Sequence, residues 1–242
     1  MTQIEFACLG RRIVLFTHPA PDHLAGVISQ TRMFYEMDVL LKCREIYLPG
    51  TTILDIGANI GNHTVFFGAV LEARVEAFEP FPGNFRLLES NVIANGLTER
   101  VRVHCCAAGE SAGNGTIHAP REANNLGTVQ IAPGAGDVPI VRLDDMDLPG
   151  PVGLLKIDVE GAEPMVLRGA ARLIAAWLPD IMIEAATPAE FAAVAEILLE
   201  HGYTPKSRHA WTATYLFTAT DQLRRMSRIL AARNPQSVIA ST

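Results

Sequence analysis

Positive charge is in short supply in this chain. Its 242 residues carry 20 Lys and Arg against 26 Asp and Glu, for a formal charge of −6, and no Lys/Arg-rich run follows a phosphate backbone. No nucleic acid partner is expected. The four cysteines, Cys8, Cys43, Cys105 and Cys106, show no C-x-x-C metal spacing, and adjacent Cys105 and Cys106 bridge only with strain, so all read as reduced thiols. Apolar runs long enough to span a bilayer are also lacking, as is a basic region ahead of an apolar stretch in Met1-Thr-Gln-Ile-Glu5. A cytoplasmic protein with no membrane partner is therefore expected. No internal repeat or low-complexity segment divides the chain.

What is present is an alternation of short apolar strands with helical segments. Thr51–Ile56, Ala73–Phe78, Val101–Cys106, Val152–Asp158 and Asp180–Glu184 read as five strands, with a helix between the first two and another from about Asn84 to Asn95. This pattern predicts an α/β fold, a mostly parallel sheet covered on both faces by helices. Ahead of it, residues 4–16 read as a hairpin and 36–48 as a helix, together an N-terminal flap over 1–48. The main domain covers 49–220, and 221–242 form a C-terminal helix and a tail frayed from Asn234.

Within the main domain, glycines and prolines break the rhythm over 111–139 and predict a hairpin-bearing insertion. Val166, Leu167, Ala170, Leu173, Ile174 and Trp177 predict one helix after Glu163-Pro164; Thr187-Pro188-Ala189-Glu190 is a capping box opening another. Tyr203–Ser207 and Trp211–Phe217 read as a closing antiparallel pair.

The chemistry concentrates first at Asp55-Ile-Gly57-Ala-Asn59-Ile-Gly61. Asp55 ends a strand, and the two glycines bracket a turn into a helix, a geometry that presents backbone N–H groups to an anionic ligand. A dinucleotide loop needs G-x-G-x-x-G, but Asn59 stands at the second glycine and none follows at position 64. A carboxylate at Asp55 repels a pyrophosphate, whereas directly or through water it holds the ammonium of a methionine moiety, which favours S-adenosylmethionine. Glu79, at the end of the next strand, suits ribose hydroxyls in either cofactor. The plainer alternative is that Asp55 caps the helix and the glycines merely turn the chain.

Four segments together resemble the FkbM family of methyltransferases: Leu54–Thr64, Ala77-Phe-Glu-Pro80, Val141-Arg-Leu-Asp-Asp145, and Leu155–Glu163 with Leu167-Arg-Gly-Ala170. The likeness covers about residues 36–185. It implies a Rossmann-like class I methyltransferase with a seven-stranded sheet and one reversed strand. It also implies S-adenosylmethionine as donor and a hydroxyl acceptor on a sugar or secondary metabolite. By this resemblance Asp55, Gly57, Asn59 and Gly61, with the adjoining Asn62, hold the methionine end, and Glu79 with Pro80 the ribose. Cys106-Ala107-Ala108 lacks the acidic residue that many relatives of the wider class place after the third strand, so the adenine pocket stays unassigned.

A second polar cluster follows. Lys156, Asp158 and Glu160 alternate, so an extended chain points them to one side, at the crevice beside the switch point of the sheet. A hydroxyl acceptor must lose a proton, for which Asp158 is the first candidate base and Glu160 the second, with Lys156 orienting them. The structural alternative is a Lys156–Asp158 ion pair, with Glu163 complementing the following helix. These carboxylates, joined by Asp144 or Asp145, also offer oxygen ligands to Mg²⁺, although no spacing requires it. His63 reads as a polar residue of a first helical turn, the remaining histidines form no ligand spacing, and Asn124-Asn125-Leu-Gly127 reads as a hairpin turn. An NAD-dependent oxidoreductase lacks its hydride-transfer constellation here, and a non-catalytic nucleotide-binding module would not need the acidic cluster. The identity of the acceptor and the oligomeric state stay open.

Overall fold

The computed structural model describes residues 1–19, 22–118, 130–211 and 213–233. In chain order it forms β1 (Thr2–Cys8), β2 (Arg11–Thr17), α1 (His23–Thr31), α2 (Met37–Ile46), β3 (Thr52–Ile56), α3 (Asn62–Ala69), β4 (Arg74–Phe78), α4 (Pro82–Ala94) and β5 (Val101–His104). Then come β6 (Ala107–Ala108), β7 (Gly113–His118), β8 (Gln130–Pro133), β9 (Val138–Val141), β10 (Val152–Ile157), α5 (Glu163–Gly169), α6 (Ala171–Trp177) and β11 (Asp180–Glu184). The last elements are α7 (Pro188–Glu200), β12 (Tyr203–His209), β13 (Thr214–Ala219) and α8 (Gln222–Arg233).

Seven strands make the central sheet in the order β12-β13-β11-β10-β3-β4-β5, parallel except for β13, which runs against both neighbours. Every residue of β3 and β10 is buried, as expected of strands covered on both faces. Alternate side chains serve opposite layers. Ile53 and Leu154 pack with α2, α3 and the N-terminal hairpin, while Leu54 and Leu155 pack with α5, α6 and α7. A fully buried leucine such as Leu54 contributes about 1.5–3 kcal/mol through its burial. The chain winds from β3 through β4 to β5 on one side and from β10 to β11 on the other, so the direction reverses between β3 and β10. A crevice opens there at the carboxyl ends of the strands.

The N-terminal residues share this core: Phe6, Ile13, Leu15 and Phe34 are buried in the same cluster as Ile53 and Val65. The α1 helix in this region carries no signal noticed in the sequence. Two asparagines one turn apart on α4 hold the free edge of β2. Asn95 accepts from the Val14 N–H at 3.0 Å and donates to its carbonyl at 2.7 Å, and Asn91 makes the same pair of bonds with Phe16. The match is geometric. Residues four apart on a helix and two apart on a strand each repeat every ~6–7 Å, so two side-chain amides imitate a neighbouring strand. Asn91 also donates to the Ile60 carbonyl at 2.7 Å, joining the hairpin to the loop after β3.

Three expectations need adjustment. The helix expected from Glu163 to Trp177 is two, broken at Ala170 (φ −110°, ψ 10°), next to Gly169, where an added Cβ would lie 2.0 Å from the Gly109 carbonyl oxygen. The third strand stops at His104, and Ala107–Ala108 leave the main sheet to pair with β9. The 111–139 segment adds more than a hairpin: β7 pairs antiparallel with both β8 and β9, giving a four-stranded sheet β6-β9-β7-β8. The Asn124–Gly127 turn and the tail from Asn234 lie outside the described residues. The capping box at Thr187 forms as read, with both reciprocal hydrogen bonds. Among the described residues no helix is long and apolar enough to cross a membrane.

Candidate active site

A cavity of about 540 Å³ occupies the crevice between the ends of β3, β4 and β10. Its floor is the loop after β3, a tight structure with Gly57 at φ 81°, Asn59 at φ 52° and Gly61 at φ 88°. The backbone N–H groups of Gly57, Ala58, Asn59 and Gly61 are already committed. The Phe78 carbonyl accepts from Gly57 at 3.0 Å and from Ala58 at 2.9 Å, while Gly61 donates to the Ala58 carbonyl at 2.8 Å. Asn59 donates at 2.8 Å to the Glu79 carboxylate, whose other oxygen accepts from Phe81 at 2.9 Å. The Gly57, Ala58 and Asn59 N–H groups are thus used by the neighbouring strand end and do not face an anionic ligand as expected.

Glu79 is 5% exposed and lines the cavity, and burial pushes its pKa up to about 7 against the pull of the two N–H donors. Pro80, Gly57, Asn59 and Asn62 share this wall, where Asn62 also clamps Tyr35 through its backbone N–H and carbonyl, both at 3.0 Å. Beyond Glu79 the wall turns apolar, with Phe78, Cys106, Ala108 and Ile140.

Asp55 and Gly61 stand behind the cavity surface rather than on it. Asp55 is fully buried, accepts a hydrogen bond from the Thr64 hydroxyl, and lies 3.8 Å from the Lys156 ammonium. Its direct contact with a ligand is not what this geometry offers; its charge reaches the site through Lys156. Lys156 in turn donates to the Gly57 carbonyl at 3.3 Å and to Asp158 at 3.1 Å. Burial penalises its charge, but Asp158, Asp55 and Glu36 outweigh that and hold its pKa above the usual ammonium range.

Lys156, Asp158 and Glu160 all reach the cavity, though not by continued extension. The strand ends at Ile157, and Glu160 has a left-handed backbone at φ 55°. Glu36 and Asn59 are likewise non-glycine residues at positive φ on the cavity wall, and such strain concentrates where side chains must be aimed. Burial and the nearby Asp158 carboxylate push Glu160 up to about 7. Glu163 accepts from Val159 at 3.0 Å and Gly161 at 3.3 Å, holding the 158–162 turn in shape. The ion-pair reading of Lys156 and Asp158 is thus present in the same geometry that exposes Asp158 to the cavity.

Three wall residues were missed or misjudged in the sequence. Glu184, at the end of β11, lines the cavity beside Asp158. Strand register explains this: Ile157 pairs with Ile183, so residues 158 and 184 leave the sheet side by side. Glu36 approaches His63 at 3.4 Å, and His63 is buried and stacked on Phe67 rather than on the surface. Burial, with the Lys156 charge, lowers the His63 pKa to about 3, which keeps its ring neutral. Asp144 and Asp145 are elsewhere, the former accepting from the Arg172 and Leu173 N–H groups at the start of α6 and the latter pairing with Arg172 at 2.8 Å. The Mg²⁺ expectation loses these ligands. Among the described residues no group of three or more His, Cys, Asp or Glu is placed to hold a metal.

A seven-stranded sheet with one reversed strand, and a crevice lined by acids from the ends of β4, β10 and β11, define a Rossmann-like methyltransferase. The chain belongs to the FkbM methyltransferase family: the model of the Methyltransferase FkbM domain matches residues 55–205. Methyltransferase 1 of Beauveria bassiana is 31% identical over 156 residues, covering 53% of this chain and 62% of that protein. Methyltransferase sdnD of Sordaria araneosa is 28% identical over 190 residues, covering 61% and 71%. The fold is shared with the methyltransferase FkbM from Methylobacillus flagellatus KT, at a TM-score of 0.54 and 22% identity over 69% of this chain and 43% of that one. It is also shared with the Pyrococcus abyssi tRNA (uracil-54, C5)-methyltransferase solved with S-adenosyl-L-homocysteine, at a TM-score of 0.51 and 13% identity over 89% and 43%. The chain thus spans less than two thirds of the Beauveria protein and less than half of either solved chain.

Proposed function

We propose that this methyltransferase moves the methyl group of S-adenosylmethionine to a hydroxyl oxygen of a small acceptor, a sugar or secondary metabolite. The observation that carries the reading is the commitment of the Gly57, Ala58 and Asn59 N–H groups to Phe78 and Glu79 beside an acidic cavity, which leaves these three with nothing to offer a pyrophosphate. A ligand with a positive sulfur and an ammonium suits such walls, and a dinucleotide does not.

In this reading Glu79 takes the ribose hydroxyls on the lone pairs that Asn59, Phe81 and Asn84 leave open. Gly57, Asn59 and Asn62 hold the methionine end, with Asp55 and Gly61 fixing the loop from behind. Phe78, Cys106, Ala108 and Ile140 give the flat apolar surface an adenine needs. S-adenosylmethionine, when bound, supplies a methyl already activated by positive sulfur. The chain must therefore align the acceptor, exclude water and take one proton. Asp158 is the base, Lys156 fixes its position, and Glu160 borders the acceptor side. The fold with S-adenosylhomocysteine in the Pyrococcus enzyme supports the donor, and the acidic wall supports an uncharged or cationic acceptor over a phosphorylated one.

The test is a panel of sugar and metabolite alcohols incubated with S-adenosylmethionine, with S-adenosylhomocysteine release measured. Acceptor-dependent release supports the reading; transfer only to amines or carbon centres contradicts its hydroxyl part.

A further inference from the structure

Asp158 and Glu184 leave adjacent parallel strands at the same level, directly after the paired Ile157 and Ile183, and both line the cavity. Two carboxylates side by side in a largely buried site disfavour each other's charge, so one of the two keeps its proton. Lys156, at 3.1 Å from Asp158, fixes which carboxyl is ionised. Asp158 keeps the charge, its pKa drawn below the usual range by Lys156, although burial opposes this. Glu184 keeps the proton, because burial and the Asp158 charge raise its pKa.

The surroundings lean the same way. Asp55 stands behind Lys156, and Glu160 and Glu163 follow Asp158 in the turn. Glu36 and Tyr35 face the pair from the start of α2, and His63 from α3. Glu190 of α7 adds a negative charge near Glu160. Lys156 is the one cation among these groups, the His63 ring being neutral, and it already serves two carboxylates and a carbonyl. The pair therefore sits where one more positive charge is wanted.

Resting on the S-adenosylmethionine reading, we infer that Glu184 and Asp158 form a proton-sharing pair that releases its proton when the sulfonium donor binds and takes up the acceptor hydroxyl's proton during transfer. The bookkeeping of atoms and charge closes. A positive ligand charge a few Å away lowers a carboxyl pKa by about 1 to 3, which favours loss of the shared proton on donor binding. On transfer, the acceptor oxygen forms its bond to the methyl carbon, the carbon–sulfur bond breaks with its electrons going to sulfur, and the acceptor proton passes to Asp158. The sulfonium charge disappears as one carboxylate is neutralised, so the buried site never holds an uncompensated change. Glu184 acts on the reaction through Asp158 and is a positioning residue.

The experiment needs no acceptor. Calorimetric titration with S-adenosylmethionine and with S-adenosylhomocysteine counts protons when run in buffers of different ionisation enthalpy. It is run at a pH of about 8, because Glu184 is raised to about 10 without ligand and a sulfonium lowers it by about 1 to 3, while the α-amino groups of the two ligands titrate alike and drop out of the comparison. Both ligands should bind, with the sulfonium releasing up to about one proton more than the neutral thioether. Its affinity relative to the thioether should then rise with pH, by up to about tenfold per unit. Glu184→Gln and Asp158→Asn should each abolish the excess while still binding S-adenosylhomocysteine; should one fail to fold, the other carries the test. Glu160→Gln should retain it. Equal release by both ligands, an excess surviving in Glu184→Gln, or one lost in Glu160→Gln overturns the pair while the donor reading stands. Failure of both ligands to bind the folded protein overturns the donor reading and the pair with it.

Discussion

Gly57 rests directly on the backbone of Asp158: a Cβ at position 57 would lie 1.7 Å from the Asp158 carbonyl oxygen and 2.8 Å from its carbon. The cofactor loop and the proposed base are therefore one packed unit, with a glycine as the only residue that fits between β3 and the exit of β10. The backbone at Gly57, φ 81°, adds a second reason.

Gly57→Ala should consequently lower stability by about 3–5 kcal/mol or prevent folding, since neither backbone can yield without breaking the Asp158 N–H bond to the Ile56 carbonyl at 3.0 Å. Gly26→Ala in α1 is the control, because nothing lies within 4 Å of its added Cβ and an alanine should be neutral or stabilising by about 0.5–1 kcal/mol. Chemical denaturation of both variants checks the contrast.

Asp158→Asn keeps the size of the side chain and removes the base. Affinity for S-adenosylhomocysteine should stay within about threefold, while single-turnover methyl transfer falls about 100-fold or more once an acceptor is known. A folded variant with near-normal turnover would leave Asp158 as a structural partner of Lys156.

Glu79→Ala should weaken S-adenosylhomocysteine binding by about 1–3 kcal/mol in a folded protein, through loss of the carboxylate that both organises Asn59 and faces the cavity. Unchanged affinity by calorimetry would place the ribose elsewhere.

The ligand-free protein should lose stability as pH rises. Glu79 and Glu160 are each pushed up to about 7 by burial, and Glu184 is raised as well. A carboxyl whose folded pKa exceeds its unfolded value holds more protons when folded. Its contribution is fully present below the unfolded value and is lost as pH rises through the folded one. The melting temperature should thus fall between pH of about 6 and about 8, and Glu160→Gln should flatten the slope. A melting temperature that rises over this interval contradicts the assignment of these acids.

Much of this was legible in local sequence. The five parallel strands announce themselves by short apolar runs because both of their faces are buried, and the Thr187 cap is a purely local motif. The 55–61 loop and Glu79 were likewise readable, since turn chemistry and strand ends leave marks within a few residues. Glu184 and Glu36 were not. Glu184 gains its place from a strand over twenty residues away, through the register of β11 against β10, and Glu36 from a left-handed turn into α2 that brings it to His63. Asp55 reads as a residue that holds the ligand directly or through water, yet whether a carboxylate at a strand end points into the crevice or toward Lys156 depends on the neighbouring strand, which the loop sequence does not contain.

The central claim rests on the donor, and one measurement addresses it most directly: calorimetric titration of the same preparation with S-adenosylhomocysteine and with NAD. The loop whose Gly57, Ala58 and Asn59 N–H groups are spent on Phe78 and Glu79, facing an acidic cavity, should bind S-adenosylhomocysteine and show no measurable binding of NAD. NAD binding equal to or tighter than that of S-adenosylhomocysteine would contradict it.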